Sequence, residues 1–333
     1  MKIRWFSLLL LIMLVSGLLS GCISGDQGTP SLIPPTLSPV PPTSTPTPIT
    51  PSPTPTLTLT DTPTPTNAPT LSADEAYTRL SGLLNDGKCR LPCWMGITPG
   101  QSTLQEVHEQ LVMFSGITPS FHGLYVEPAG KWSTADLTIS YPNDSMEIDV
   151  DPGYLVPSNS NVVSVIEIET LSYQIKNGGR GEIIYHYPPY SELMKVYTLS
   201  AVLSEYGLPK QIYIYALNTS PLVYFQIHAW YPDKGIFITY DLLAHDLGSS
   251  YKLCPMDSLV SGFLTQPVTT DYQGFLLQMN KDLYKNFFPP SAFVKTTDEA
   301  FGLSSDEFYQ LFRSATNHCL NTPKTTWPVV IGP

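Results

Sequence analysis

Hydrophobic and polar positions divide this chain into three stretches. Trp5 to Leu18 is an apolar run broken only by Ser7, Ser16 and Gly17. Between Thr29 and Thr70 there is no periodicity, and nearly every position is Pro, Thr, Ser or an isolated aliphatic. From Ser72 onward charged, aromatic and branched residues return in periodic order. Ser72-Ala73-Asp74-Glu75 has the form of a capping box and predicts a helix ending near Gly87, with Ala76, Leu80, Leu83 and Leu84 at helical spacing. After a turn at Gly96-Ile97-Thr98-Pro99-Gly100, Thr103-x-x-Glu106 opens a second helix carrying Leu104, Val107 and Leu111 on one face. The alternating segments 135–141, 145–151 and 162–171 then predict antiparallel strands, with turns at Pro142-Asn143-Asp144 and Asp151-Pro152-Gly153.

The same order recurs. Thr198 to Tyr206 predicts a short helix with Leu199, Val202, Leu203 and Tyr206 inward, stopped by Gly207 and Pro209. Strands are expected at 211–217, 222–231 and 235–242. Thr103-Leu104-x-x-Val107 and Thr198-Leu199-x-x-Val202 thus each precede three strands. The tail begins near Cys254-Pro255. Residues 275–284 fit a helix or a strand equally. Thr297 to Gly302 reads as one helical turn with a glycine stop. Ser304-x-x-Glu307 caps a helix with Phe308, Leu311 and Phe312 on its buried side. The expected fold is α+β: two helix-plus-antiparallel-sheet units (72–175 and 176–250) and a disulfide-tied helical C-terminal extension (251–333).

The first stretch carries a more specific message. Lys2 and Arg4 precede the apolar run, which is too short to span a bilayer core comfortably, since that needs about 20 residues. Leu19-Ser20-Gly21-Cys22 closes it. This order of charge, apolar run and Leu-Ser-Gly-Cys resembles the signal peptide and lipobox of bacterial lipoproteins. The resemblance implies cleavage after residue 21, a diacylglycerol thioether on Cys22, and fatty-acyl chains such as palmitate on the mature N-terminus. Each buried methylene adds roughly 0.8 kcal/mol, so two or three chains on one residue would make attachment stable.

Residues 22–71 then form a tether. The recurring Pro-Thr pattern, as at Pro63-Thr64-Pro65-Thr66, cannot bury enough apolar surface to offset its ordering entropy. Proline biases it toward polyproline II, and roughly 45 residues at about 3.1 Å each would reach on the order of 140 Å when fully extended. The composition also suits an O-glycosylated stalk or a proline-motif ligand. Its place between an anchor and a folded region favours a spacer.

The remainder, about 260 residues from 72 to 333, is long enough for one large domain or two smaller ones. Gly96-Ile97-Thr98 followed by the Thr103 helix, and the Thr198 helix closing at Gly207-Leu208-Pro209, resemble pieces of two groups. One is the SmpA/OmlA type of outer-membrane assembly lipoprotein; the other is the β-lactamase inhibitor protein, which has two such units in tandem. These words cover about a tenth of the domain and imply an interaction role by fold analogy alone. Neither group has the C-terminal extension.

Charge and cysteines narrow the setting. The chain carries 28 Asp and Glu against 17 Lys and Arg, a formal net charge of -11. That balance argues against nucleic acid and against broad electrostatic docking on anionic lipid. Beyond Cys22 the cysteines are Cys89, Cys93, Cys254 and Cys319, an even number that suggests disulfides in an exported chain. Three pairings are open. The preferred one closes the small loop Cys89–Cys93 and joins Cys254 to Cys319, tying the tail down. Redox pairs typically have two intervening residues, whereas Cys89 and Cys93 have three, and no His or Cys cluster completes a zinc set.

Catalytic motifs are absent from the sequence. There is no Gly-x-Ser-x-Gly elbow. His108-Glu109 lacks the second histidine of a zinc-protease helix. Gly178-Gly179-Arg180-Gly181 lacks the lysine and spacing of a phosphate loop and reads as a tight turn. Glu147, Asp149 and Asp151 would share one strand face, as a solvated surface or, with oxygens from another loop, as a Ca²⁺ site. His186, His228 and His245-Asp246 could form an acid–base site only if the fold gathers them. Tyr185, Tyr187, Tyr213, Tyr215 and Trp230, among neighbouring aromatics, form a candidate binding face for a sugar or a protein if exposed; the competing and preferred expectation is that most of these rings belong to the core. The sequence therefore points to a lipid-anchored protein on the extracytoplasmic side of the cell membrane. It presents a binding module on a stalk, with a protein or glycan partner and no cofactor or metal. The alternative is an extracytoplasmic hydrolase with an unrecognised active site.

Overall fold

The computed structural model describes residues 71–112, 114, 125–127, 130–134, 137–141, 145–176, 179–219, 222–283, 293–314 and 318–327. All lie in the unit Thr64–Pro333. The expected signal segment, Cys22 and the Pro/Thr tract lie outside the described residues.

Helices begin where the local signals place them. In α1 (Ala73–Asn85) the Ser72 hydroxyl accepts from the Glu75 backbone N–H, and the Glu75 carboxylate accepts from the Ser72 backbone N–H at 2.9 Å. Thr103 and Glu106 exchange the same pair of bonds at the start of α2 (Leu104–Val112). A further helix, α3 (Pro188–Leu193), starts on prolines, whose missing N–H costs nothing in a first turn. Thr198 caps α4 (Leu199–Tyr206), which ends at Gly207 with φ of 79°. The segment left open between helix and strand is helical: α5 spans Tyr272–Leu283. Capping boxes at Thr296/Glu299 and Ser304/Glu307 open α6 (Thr297–Phe301) and α7 (Ser305–Phe312).

The strands are β1 (Tyr125–Glu127), β2 (Gly130–Thr134), β3 (Leu137–Tyr141), β4 (Met146–Pro157), β5 (Val165–Lys176), β6 (Gly179–Ile183), β7 (Gln211–Thr219), β8 (Leu222–Tyr231), β9 (Ile236–Leu243), β10 (His245–Asp246), β11 (Ser250–Leu253), β12 (Leu259–Thr265), β13 (Val294–Thr296) and β14 (Leu320–Pro323). Eleven of them make one antiparallel sheet with the order β1-β2-β4-β5-β12-β9-β8-β7-β13, while β3 pairs with β4 and β6 with β5. A smaller sheet runs β10-β11-β14. The fold is thus α+β with antiparallel sheets, and its disulfides are Cys89–Cys93 and Cys254–Cys319.

The tail departs from the helical extension expected. Its strand β12 lies between β5 and β9, pairing Ser261 with Glu169 on one side and with Thr239 on the other. It therefore joins the strands of the two expected units into one continuous sheet. The segment Leu259-Val260-Ser261-Gly262-Phe263-Leu264 is a short apolar run, whose periodicity alone does not distinguish a buried strand from a buried helix. Gly262 permits the close approach, because a Cβ there would collide with the carbonyl oxygen of Phe237.

Alternation sends even-numbered residues of β5 and odd-numbered residues of β8 to one face. Ile166, Ile168, Phe225, Ile227 and Ala229 pack there with Leu80 and Leu84 of α1, Tyr190 and Leu193 of α3, Val202 and Leu203 of α4, and Phe308 and Phe312 of α7. This is the main core. The other face is covered in part by α5, whose Tyr272, Phe275, Leu276 and Met279 pack on Leu155, Val165, Trp230, Phe237 and Phe263. Beside α5, that face opens into a cavity.

Candidate ligand-binding cavity

The cavity measures about 300 Å³ and its floor is built from β5, β12, β9 and β8. Sheet register lines up its side chains. One row runs Glu169, Ser261, Thr239 and His228; the next holds Asp241 beside Gln226; a third runs Glu167, Phe263, Phe237 and Trp230. Tyr185 and Tyr224 form an aromatic wall, with ring centroids 6.2 Å apart and planes tilted by 33°. Glu167, Glu169 and Asp241 supply the charge of the lining.

Along the floor runs a directional chain of hydrogen bonds. Gln226 donates its Nε2–H to Asp241 Oδ1 at 2.6 Å, and the Ser261 hydroxyl donates to Asp241 Oδ2 at 3.0 Å. Because the Gln226 amide nitrogen points at Asp241, its Oε1 accepts from His228 Nε2, 3.1 Å away. His228 Nδ1 then accepts from the Tyr272 hydroxyl at 2.7 Å. Burial lowers the His228 pKa to about 3, so the ring is neutral at physiological pH. Burial also raises the Asp241 carboxyl above its ordinary value; the bonds from Gln226 and Ser261 pull it down, and the Glu169 charge pushes it up again. The Tyr185 phenol is raised by burial, with Tyr224 and Asp241 adding to the effect.

A second acidic cluster sits on β4. Asp149 is fully buried, and Arg180 of β6 reaches it at 2.7 Å and Glu147 at 3.4 Å. The same guanidinium lies 5.1 Å from the Tyr173 ring centroid. The expected carboxylate face is only partly solvated: Glu147 and Asp151 are half-buried, while Asp149 is buried against a counter-charge contributed by the segment read as a tight turn, of which Gly179–Gly181 belongs to β6. Among the described residues, no group of three or more His, Cys, Asp or Glu is placed to hold a metal ion.

The expected aromatic face is divided by the fold. Tyr185 lines the cavity. Tyr187 is buried against the main core, with Tyr141 at 5.8 Å. Trp230 is 1 % exposed beneath α5, Tyr215 is buried, and Tyr213 stacks on Tyr272 at 4.1 Å. These three rings do share a sheet face, as strand alternation required, but α5 closes over much of it. The histidines are not gathered: His228 is buried beside the cavity, against Tyr272, while His186 and His245 are exposed. Sequence reasoning missed Glu167, Glu169, Gln226, Asp241 and Ser261. The available signal was Val165-Ile166-Glu167-Ile168-Glu169-Thr170, which places two carboxylates on one face of a strand with aliphatics on the other.

No family model matches this chain, and no curated protein and no solved structure matches it. Among the described residues no helix is long and apolar enough to cross a membrane.

Proposed function

We propose that this chain is a lipid-anchored protein of the extracytoplasmic side, whose Pro/Thr stalk holds out a module that binds a ligand in the cavity beside α5. The observation that carries the binding reading is the cavity: a concave patch on the sheet beside α5, walled by Tyr185 and Tyr224, with Glu167, Glu169, Gln226, Asp241 and Ser261 among its floor residues. Apolar walls with few convergent polar groups are the usual form of a small-ligand site. The lipobox at Leu19-Ser20-Gly21-Cys22 and the proline tract support the tether, and the disulfides suit an oxidising compartment. The two helix-then-strands segments, capped at Thr103 and Thr198, read as copies of one unit joined by β12.

Two measurements test this reading. Intact mass of the protein from its native host should show Cys22 acylated; an unmodified residue 22 rejects the anchor. Capture experiments with the full mature protein should recover a ligand that Tyr185→Ala and Glu169→Gln release. Recovery unaffected by both substitutions rejects the cavity as the binding site.

A second reading, hydrolysis, is favoured by one observation. Asp241, whose carboxyl is raised by burial, lies near enough to Glu169 for that charge to raise it further, and two neighbouring carboxyl groups are the usual acid and base of glycoside cleavage. Turnover of chromogenic glycosides that disappears in both Asp241→Asn and Glu169→Gln would support it.

A further inference from the structure

The hydrogen bonds of the cavity floor have a polarity. The Gln226 amide and the Ser261 hydroxyl both direct a hydrogen at Asp241, one to each carboxylate oxygen. Ser261 therefore presents an oxygen that can only accept, and each Asp241 oxygen keeps a further lone pair. The Thr170 hydroxyl likewise turns its hydrogen away, onto the Val260 carbonyl. Glu169, exposed in the same lining, adds a carboxylate that accepts. These side chains suit a ligand that brings several hydroxyl donors. The aromatic wall is an independent observation that narrows the class. Tyr185 and Tyr224 are half-buried, with planes inclined by 33° and centroids 6.2 Å apart. The face of a tyrosine ring is the negative end of its quadrupole and attracts the weakly positive C–H bonds of a saturated, oxygen-bearing ring. A pyranose sugar combines the two requirements, with C–H bonds on its faces and hydroxyl donors around its rim. The cavity, at about 300 Å³, is at the lower end for small-ligand sites and suits one ring rather than a chain.

We infer that the cavity binds a single pyranose sugar unit, free or at the end of a glycan, with its hydroxyls donating to Asp241, Ser261 and Glu169 and a C–H face set against Tyr185 and Tyr224. This rests on the cavity being the binding site and adds the chemical class of the occupant; it requires no hydrolysis. Gln226 and Ser261 already fix the Asp241 carboxylate, so that acceptor needs no reordering when a sugar hydroxyl arrives.

The experiment is equilibrium dialysis of the full mature protein in detergent against radiolabelled methyl β-glucoside, methyl β-galactoside and tetrahydropyranylmethanol, with protein-free micelles as the blank. The third probe keeps the ring and the hydroxymethyl arm and lacks the ring hydroxyls. At least one glycoside should bind, tighter than tetrahydropyranylmethanol by roughly tenfold, the scale of one hydrogen bond to a charged group. Glu169→Ala and Tyr224→Ala should each weaken that glycoside several-fold. Displacement of the bound glycoside by cellobiose or lactose supports a glycan end as the source, and displacement by glucose or galactose alone supports a free sugar. Equal affinity for the glycosides and tetrahydropyranylmethanol overturns the inference while leaving a ligand-binding cavity intact. Absence of glycoside binding also overturns it, and the capture experiment with Tyr185→Ala and Glu169→Gln then judges the cavity separately. Glycoside affinity unchanged in both variants overturns it too, because the sugar then sits elsewhere. Glu169 is exposed, so its variant decides the matter if Tyr224→Ala does not fold.

Discussion

Gln226 and Asp241 oppose each other on one rung of β8 and β9, and the Gln226 amide donates to the Asp241 carboxylate at 2.6 Å. That contact orients the glutamine, which assigns the proton of His228 to Nε2 and leaves Nδ1 to accept from Tyr272. A carboxylate lining the cavity is thereby connected to a hydroxyl at the start of α5.

Asp241 makes stability depend on pH in a direction opposite to most acidic residues. Its folded pKa is raised, so the folded state holds the proton more tightly than the unfolded one. The group favours folding below its unfolded pKa, and that advantage disappears as pH rises through the raised folded value. Asp241→Asn removes the titration. The melting temperature of the variant minus that of the wild type should therefore increase between about pH 3 and pH 7. A difference that is flat or decreases with pH contradicts the burial argument.

Tyr190 ties α3 to the sheet. The Val260 backbone N–H donates to its hydroxyl at 2.9 Å, and Thr170 Oγ1 lies 2.7 Å away. Thr170 spends its own proton on the Val260 carbonyl, so the Tyr190 hydroxyl donates to Thr170. Tyr190→Phe strands a buried N–H and should cost about 1–3 kcal/mol in denaturant unfolding, with the m value unchanged.

Gly235 turns the chain from β8 into β9. Its φ is 65°, and a Cβ there would collide with the carbonyl oxygen of Thr265, whose N–H donates to the Gly235 carbonyl at 2.8 Å. Gly235→Ala should destabilise by at least about 1–3 kcal/mol from the left-handed backbone alone. Thermal unfolding would detect this, and a wild-type melting temperature would refute it.

The disulfides should differ in importance. Cys254–Cys319 closes a separation of 65 residues, whereas Cys89–Cys93 closes 4. In the chain-entropy model the longer loop contributes roughly 4 kcal/mol and the shorter one about half of that. Replacing Cys254 and Cys319 by serine should lower the melting temperature more than replacing Cys89 and Cys93. The reverse order would show that the tail is held by packing alone.

How much of this was legible in sequence depends on the distance over which each feature is decided. Ser72, Thr103, Thr198 and Ser304 mark helix starts through bonds to residues three positions away, and all four helices begin directly after them. The strands of β7, β8 and β9 follow from alternation over a few residues. The cavity has no such local mark. Asp241 meets Gln226 across fifteen positions, and Ser261 meets Glu169 across a separation of 92.

The covalent order of residues thus determined the α+β class, the capped helices and the side of each strand on which a residue falls, because hydrogen bonds and side-chain periods act within a few positions. Only the tertiary structure decided that β12 sits between β5 and β9, that α5 covers Trp230 and Tyr213, and that Glu167, Glu169 and Asp241 line one cavity. Strand order is chosen by the burial of whole faces against one another. That choice belongs to the assembled sheet, and no single segment carries it.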